Sequence, residues 1–251
     1  AAGGPSPKSL RMARNTVHLL HHEGHLDAYA PVAEGAYAME FLAHQLLELA
    51  YARFQEIEAA GGFATITTNE SFDALLSAGW HRLVGEVESG KRRITGVTRS
   101  PSADETLDAA PSLSERRLTG ALEQVRFYLQ DANAGAVVHA HLFGAPSMTN
   151  ARLNFVAETL GVAGIHVSPE PGDRNIQAVV LCADDESLTA EGAERIAAIR
   201  AKYGRLPILI AAPPASHPAM AELGVHFLHA KAPLLDLLRH AASLLFPERA
   251  V

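Results

Sequence analysis

Residues 135–183, GAVVHAHLFGAPSMTNARLNFVAETLGVAGIHVSPEPGDRNIQAVVLCA, decide the fold. The run 136–142 has the length and apolar content of a buried parallel strand, and helical spacing follows at 147–160. Strand-length runs recur at 165–168, 178–182, 206–211 and 225–228, with helical stretches at about 188–203, 216–223 and 232–246 between or after them. Strands alternating with helices imply an α/β domain, a doubly wound parallel sheet that is flavodoxin-like in length and strand number. One join is anomalous. Only residues 169–177 separate the second and third strands, whereas a parallel crossover normally takes ~10 or more residues. Either a crossover helix is lost there, or 165–168 is not a regular strand.

Upstream of this stretch the apolar period is helical. Met12, Leu19 and Leu20 lie on a predicted helix from Ser9 to about His22, stopped by Gly24. Met39, Leu42, Leu46, Ala50, Phe54 and Ile57 recur every three or four residues ahead of Gly61 and Gly62. Phe72, Leu76, Trp80, Leu83 and Val87 write a third helix, from near Asn69 to Gly90. Residues 91–111 break every period and read as a linker. Ser112 and Glu115 have the spacing of a capping box, and Leu118, Leu122, Val125 and Leu129 continue a helix behind it. The expected organisation is a helical segment over 1–90, a linker over 91–111 and the sheet domain over 112–251.

Composition narrows the function classes. The 251 residues are 48% apolar, with 21 Lys and Arg against 28 Asp and Glu, a net charge of −7. The apolar share supplies a core and argues against disorder. With Cys182 as the one cysteine, neither a disulfide scaffold nor a CxxC site can form. The negative balance argues against nucleic acid, which calls for a basic face. Apolar runs such as 178–183 and 206–214 fall short of the ~20 residues of a membrane span. The chain is accordingly read as cytoplasmic. Ala1 to Pro5 has neither the basic start nor the apolar stretch of a signal peptide, and an upstream part is expected.

Thirteen histidines raise a metal hypothesis. His18, His21 or His22, and His25 could share one helical face, but Gly24 interrupts the helix where His25 would have to be held, and no HExxH spacing occurs. A solvated or interface cluster is the favoured reading. His139 and His141 fall on one side of a strand with no third ligand nearby in sequence, and polar contacts at the sheet's end explain them more simply. Cys182 reads as a small buried hydrophobe rather than a nucleophile. No GxSxG, GxGxxG or GxxxxGK[ST] motif is present, so neither a serine elbow nor a phosphate cradle has a candidate. Lys91, Arg92 and Arg93 at a helix end are read as solvent-facing.

Four segments, RMARNT at 11–16, AYAME at 36–40, FQEIEAAGG at 54–62 and ITGV at 94–97, occur in an order and spacing that resemble the carboxy-terminal half of a methylmalonyl-CoA mutase chain. That family runs RxARNTQ, DPxGGSYYVE, a helix ending near EAxGG, a KxxITGVxxFP segment, a linker and a flavodoxin-like cobalamin domain. The resemblance spans roughly residues 7–251. Residues 31–35, PVAEG, depart from DPxGG, and Arg99-Ser-Pro101 departs from the phenylalanine-proline end.

The resemblance implies that this helical segment follows a TIM barrel not contained in these residues, where the acyl-CoA binds and the adenosylcobalamin chemistry takes place. The chain would then be roughly the last two fifths of a larger protein, given a barrel of ~250 residues upstream. Family members that bind cobalamin carry DxHxxG after the first strand of the sheet domain, the imidazole ligating cobalt and the carboxylate orienting it. Here Pro146, Met148 and Ala151 stand at those positions, and none can fill the role. Residues 181–185, LCADD, replace a serine-containing loop that lines the nucleotide tail, and residues 211–214, AAPP, replace a paired-glycine turn. The pattern is similar to the small, non-cobalamin-binding subunit of the heterodimeric mutases, which implies a degenerate cobalamin domain. No catalytic, cofactor-binding or metal-ligating residue is assigned in this chain. Adenosylcobalamin is expected in a catalytic large subunit, the partner in a heterodimer that interconverts methylmalonyl-CoA and succinyl-CoA. The alternative is a corrinoid-binding module that holds cobalamin without a protein histidine ligand.

Overall fold

The computed structural model describes residues 6–26, 28, 33–111 and 117–248. Contacts divide the chain into two compact units, with the boundary between Arg82 and Leu83.

The first unit is helical. Helix α1 (Pro7–His18) is opened by Ser6, whose hydroxyl accepts from the Ser9 N–H, with Pro7 in the first turn where its missing donor does no harm. It passes into a π-helical turn, Leu19–Glu23, that ends at Gly24. Helix α2 (Tyr37–Ala59) and the single turn α3 (Phe63–Ile66) follow, and α4 (Glu70–Glu88) runs across the boundary residues. No residue of α1 or α2 is buried. The stripe read from the sequence, Met39 to Phe54, is exposed, as are Phe41, Leu47, Leu49 and Tyr51 on other sides of α2.

In the second unit α5 (Gly120–Asn133) precedes β1 (Ala136–Leu142), α6 (Pro146–Val162), β2 (Val167–Ser168), β3 (Asn175–Cys182) and α7 (Asp185–Tyr203). Then come β4 (Ile208–Ile210), a 3-10 turn (Pro214–Ser216), α8 (Pro218–Ala221), β5 (His226–Phe227) and α9 (Leu234–Leu245). The sheet is parallel throughout, in the order β2-β1-β3-β4-β5, the doubly wound arrangement expected from the sequence. The capping-box residues 112–115 lie outside the described residues. Alternation along the strands sends Val138, Ala140, Val180, Cys182 and Leu209 to the face covered by α5, α6 and α9. Val179, Leu181, Ile208 and Ile210 go to the other face, under α7 and α8.

The anomalous join resolves on both counts. The second strand shrinks to two residues, pairing Val138 with Val167 and His139 with Ser168, and residues 169–174 hold no helix. Pro169 and Pro171 lack the N–H groups a longer ladder would use, and Ser168 folds its hydroxyl onto the Glu170 backbone to start the turn. β1 therefore lies next to a stub at the sheet edge.

Residues 91–111 contain neither a helix nor a named strand, yet they are tightly held. The Arg126 guanidinium donates to the carbonyls of Ser102 and Glu105, and Gln130 both accepts from Leu107 N (2.9 Å) and donates to Leu107 O (3.1 Å). Leu107 is buried beside these bonds, and Thr98, whose hydroxyl accepts from Ile94 N, is buried as well.

Candidate functional site

In a sheet of this order the ligand crevice lies beyond the carboxyl ends of β1 and β3, where the connections turn in opposite directions. Residues 143–152, 183–187 and 211–217 surround that point. Gly144 has φ +84°, and a Cβ there would overlap the Asp184 carboxylate and the Ser187 hydroxyl, so only glycine permits the approach. Asp184 caps α7, accepting from Ser187 N at 2.9 Å and from Ser187 Oγ at 2.9 Å. The same carboxylate reaches across to accept from Ala145 N at 2.6 Å, just ahead of α6. Donation from the Ser187 amide, then from the Ala145 amide and the Ser187 hydroxyl, holds Asp184 down to about 2.

A second set of charged contacts lies beside it. Arg152 of α6 donates to the Ala183 carbonyl and to Asp185 Oδ1, the latter at 2.6 Å. Asp185 Oδ1 also meets His217 Nε2 at 3.0 Å. The His217 side chain is 2% exposed and that of Arg152 12%, so both lie in the wall while Asp185 faces outward. Hydrogen bonds from Arg152 and then His217 lower the Asp185 carboxyl. Thr149 ties the first turn of α6 to the loop by donating to the carbonyls of Phe143 and Ala145.

The three positions singled out for a cobalt ligand lie on the first turns of α6. Pro146 is its first residue, Met148 is 45% exposed and Ala151 is exposed. A pyrrolidine, a thioether and a methyl do not fit a group that calls for a carboxylate-oriented imidazole. Ala211 and Ala212 are buried against the core, with side chains where a glycine pair would admit a ligand. The donor set and the bridged crevice both disagree with a resident corrinoid. A hollow of about 260 Å³, lined by Asp104, Arg126, Asn133 and Arg174, lies beside Gly135 at the opposite end of β1.

The remaining sequence candidates fall away from this crevice. His139 and His141 share one face of β1, His139 against Tyr203 (5.9 Å between ring centres) and His141 against Phe143 (5.8 Å). Burial, then the positive charges of Lys202 for His139 and Arg195 for His141, lowers both imidazoles. His18 stacks on His22 and His21 meets His22 edge-on, while His25 lies beyond Gly24 with φ +47°. Among the described residues no group of three or more His, Cys, Asp or Glu is arranged to hold a metal. Cys182 is fully buried and pushed up to about 12 by that burial, which makes it inert. Arg92 pairs with Glu86, and Arg93 stands 4.0 Å from Glu158.

Sequence reasoning noted Asp184 and Asp185 only as departures and did not reach Arg152 or His217. The signal for Asp184 was present: an Asp at the strand-to-helix turn, three residues before Ser187, is an N-cap. The reach to Ala145 had no such signal, because the two residues are 39 apart in sequence.

The family model for methylmalonyl-CoA mutase matches residues 1–140, more than half of the chain. The methylmalonyl-CoA mutase small subunit of Porphyromonas gingivalis is 25% identical over 260 aligned residues, covering 92% of this chain and 42% of that protein. A probable methylmalonyl-CoA mutase small subunit of Mycobacterium bovis is 33% identical over 95 residues, 38% of this chain and 15% of the relative. The Escherichia coli methylmalonyl-CoA mutase is 31% identical over 99 residues, 39% of this chain and 14% of the relative. The chain thus spans less than half the length of these relatives. No helix among the described residues is long and apolar enough to cross a membrane. With residues 1–140, more than half of its length, matched by the family model, this chain belongs to the methylmalonyl-CoA mutase family.

Proposed function

We propose that this chain is part of the non-catalytic small subunit of an adenosylcobalamin-dependent methylmalonyl-CoA mutase. Its role is to support a catalytic large subunit that holds the cobalamin and interconverts methylmalonyl-CoA and succinyl-CoA. The observation that carries the reading is the exposed thioether of Met148 at the position where the family's cobalt-ligating imidazole would stand. The first 90 residues are then the helical end of a barrel domain, 91–111 the linker and 112–251 the degenerate cobalamin domain of a cytoplasmic heterodimer. The apolar side chains all around α2 support this assignment, because a surface of that kind belongs at an interface. The small-subunit relatives of P. gingivalis and M. bovis support the partner assignment.

Co-expression with a cobalamin-binding large subunit tests the proposal. A stable complex that elutes as one species, with adenosylcobalamin bound by the large subunit alone, is the expected outcome. A full-length chain that never associates with such a subunit refutes it. The competing reading, a corrinoid module without a histidine ligand, requires adenosylcobalamin to stay with this chain on gel filtration in the absence of any partner.

A further inference from the structure

We propose that the crevice beyond β1 and β3 is a closed joint, in which the Asp184 carboxylate occupies the space a ligand would enter and ties the β1–α6 turn to α7. This deepens the small-subunit reading and rests on it. The crevice has not merely lost a cobalt ligand. The Gly144 backbone is drawn so close to Asp184 and Ser187 that a Cβ would not fit between them. The Ala145 N–H, which faces the crevice ahead of the donor-less Pro146, is taken at 2.6 Å. On the rim, Arg152 crosses from α6 to the Ala183 carbonyl and to Asp185, and Asp185 continues to the buried His217. Segments 143–152, 183–187 and 217 are thereby joined by charge-assisted hydrogen bonds, the stronger kind. Opening the crevice would break the Ala145 and Arg152 contacts together, leaving Asp184 only the two Ser187 donors of its own helix cap.

The joint and the missing imidazole are separate obstacles, which makes the inference testable. The probe is adenosylcobalamin, whose upper face already carries its adenosyl group and is closed to surface histidines, followed by gel-filtration retention on the full 251-residue chain. Retention by the native chain overturns the corrinoid-free reading itself. With the native chain retaining none, M148H restores an imidazole while leaving the joint intact, and the expected result is still no retention. Retention by M148H overturns the joint and leaves the small-subunit reading standing. A second measurement reads the joint directly. In D184N, amide exchange at Ala145 and Ser187 is expected to accelerate about tenfold or more, because both donors lose a charged acceptor. Unchanged exchange at both positions in a folded D184N chain overturns the proposal. Should D184N fail to fold, exchange is read in the native chain, where the Ala145 N–H is expected to be protected at least about tenfold relative to an exposed turn amide; an Ala145 amide exchanging as fast as an exposed turn amide has the same overturning force.

Discussion

Removing the Arg126 guanidinium should release residues 102–107 from the sheet unit. Arg126 is 5% exposed, and burial lowers its pKa while the nearby Glu105 charge works against that shift. Its guanidinium donates to four carbonyls: Ser102, Glu105 (3.0 Å), Gly161 (3.3 Å) and Val162 (3.5 Å). The last two are long and weak, so the Ser102 and Glu105 contacts dominate. Each charged hydrogen bond is worth about 1.5–3 kcal/mol, for a gross loss of about 3–6 kcal/mol in Arg126→Ala. Returning the guanidinium's desolvation penalty offsets part of this and leaves about 2–4 kcal/mol. For a unit of this size that lowers Tm by about 5–15 °C. Differential scanning calorimetry gives the magnitude, and hydrogen exchange gives the location, with protection lost first at 102–107. Gln130→Ala, which removes two neutral bonds to Leu107, should cost about half as much. Arg126→Lys should fall between native and Ala, because an ammonium cannot reach four carbonyls from one position. A Tm within about 2 °C of native in Arg126→Ala, with 102–107 still protected, would refute the reasoning.

Stability should fall in two acid windows. His139, His141 and His226 are all lowered in the folded state, chiefly by burial, so the unfolded chain takes up protons first and stability declines as pH drops below about 6.5. Urea titrations should show this slope flattened in a His139→Gln, His141→Gln variant, and an unchanged slope would count against it. Asp184, held at about 2 instead of 3.8, contributes stability that is present above pH ~4 and lost as pH falls towards 2; Asp184→Asn should reduce that second decline and leave the part due to the lowered Asp185. Cys182 should resist alkylation at pH 8 in the native chain and react fully once unfolded, whereas native labelling within minutes would contradict its burial. Replacing Leu46 and Phe54 on α2 by Ser should weaken association with a large subunit by at least about tenfold. Since both side chains are exposed, the Tm of the isolated chain should change little.

What was legible in the sequence was whatever depends on neighbours along the chain. β1 was read to the residue because five apolar residues and two histidines stand between Gly135 and a Phe-Gly-Ala-Pro turn. β3 was begun three residues late because Asn175, Ile176 and Gln177 mix polar and apolar character, and its ladder to β1 is fixed by pairing Asn175 with Ala136, a contact across the chain. Residues 91–111 break every sequence period and hold no named helix or strand, but their attachment was invisible, since Arg126 lies 24 residues from Ser102. The crevice divides in the same way. A thioether at Met148, where the resemblance expects an imidazole, is a matter of residue identity at one position, whereas the Asp184 contact to Ala145 depends on two distant turns meeting.

The two peculiarities of β1 have different physical origins. A crossover helix between the second and third strands would lie on the sheet face covered by α7 and α8, over the edge where β1 meets β2. Residues 169–174 make that connection without a helix, and this is the face on which His139 and His141 stand against Tyr203 and Phe143. An aliphatic residue left without a covering helix would meet water, while an imidazole tolerates a half-covered position. The histidines that first raised a metal hypothesis are thus residues suited to a sheet face whose crossover was shortened. At the carboxyl end of the same strand the backbone is drawn in, because Gly144 allows Asp184 to reach Ala145. Imidazoles thus line the flank of β1 that no crossover helix covers, while at its head the Asp184 carboxylate holds the Ala145 amide. Neither adaptation requires the other, so a double variant, His139→Gln with Asp184→Asn, should lose stability additively to within ~0.5 kcal/mol. A larger coupling would mean that the flank and the crevice are parts of one network and that the separation argued from their geometry is wrong.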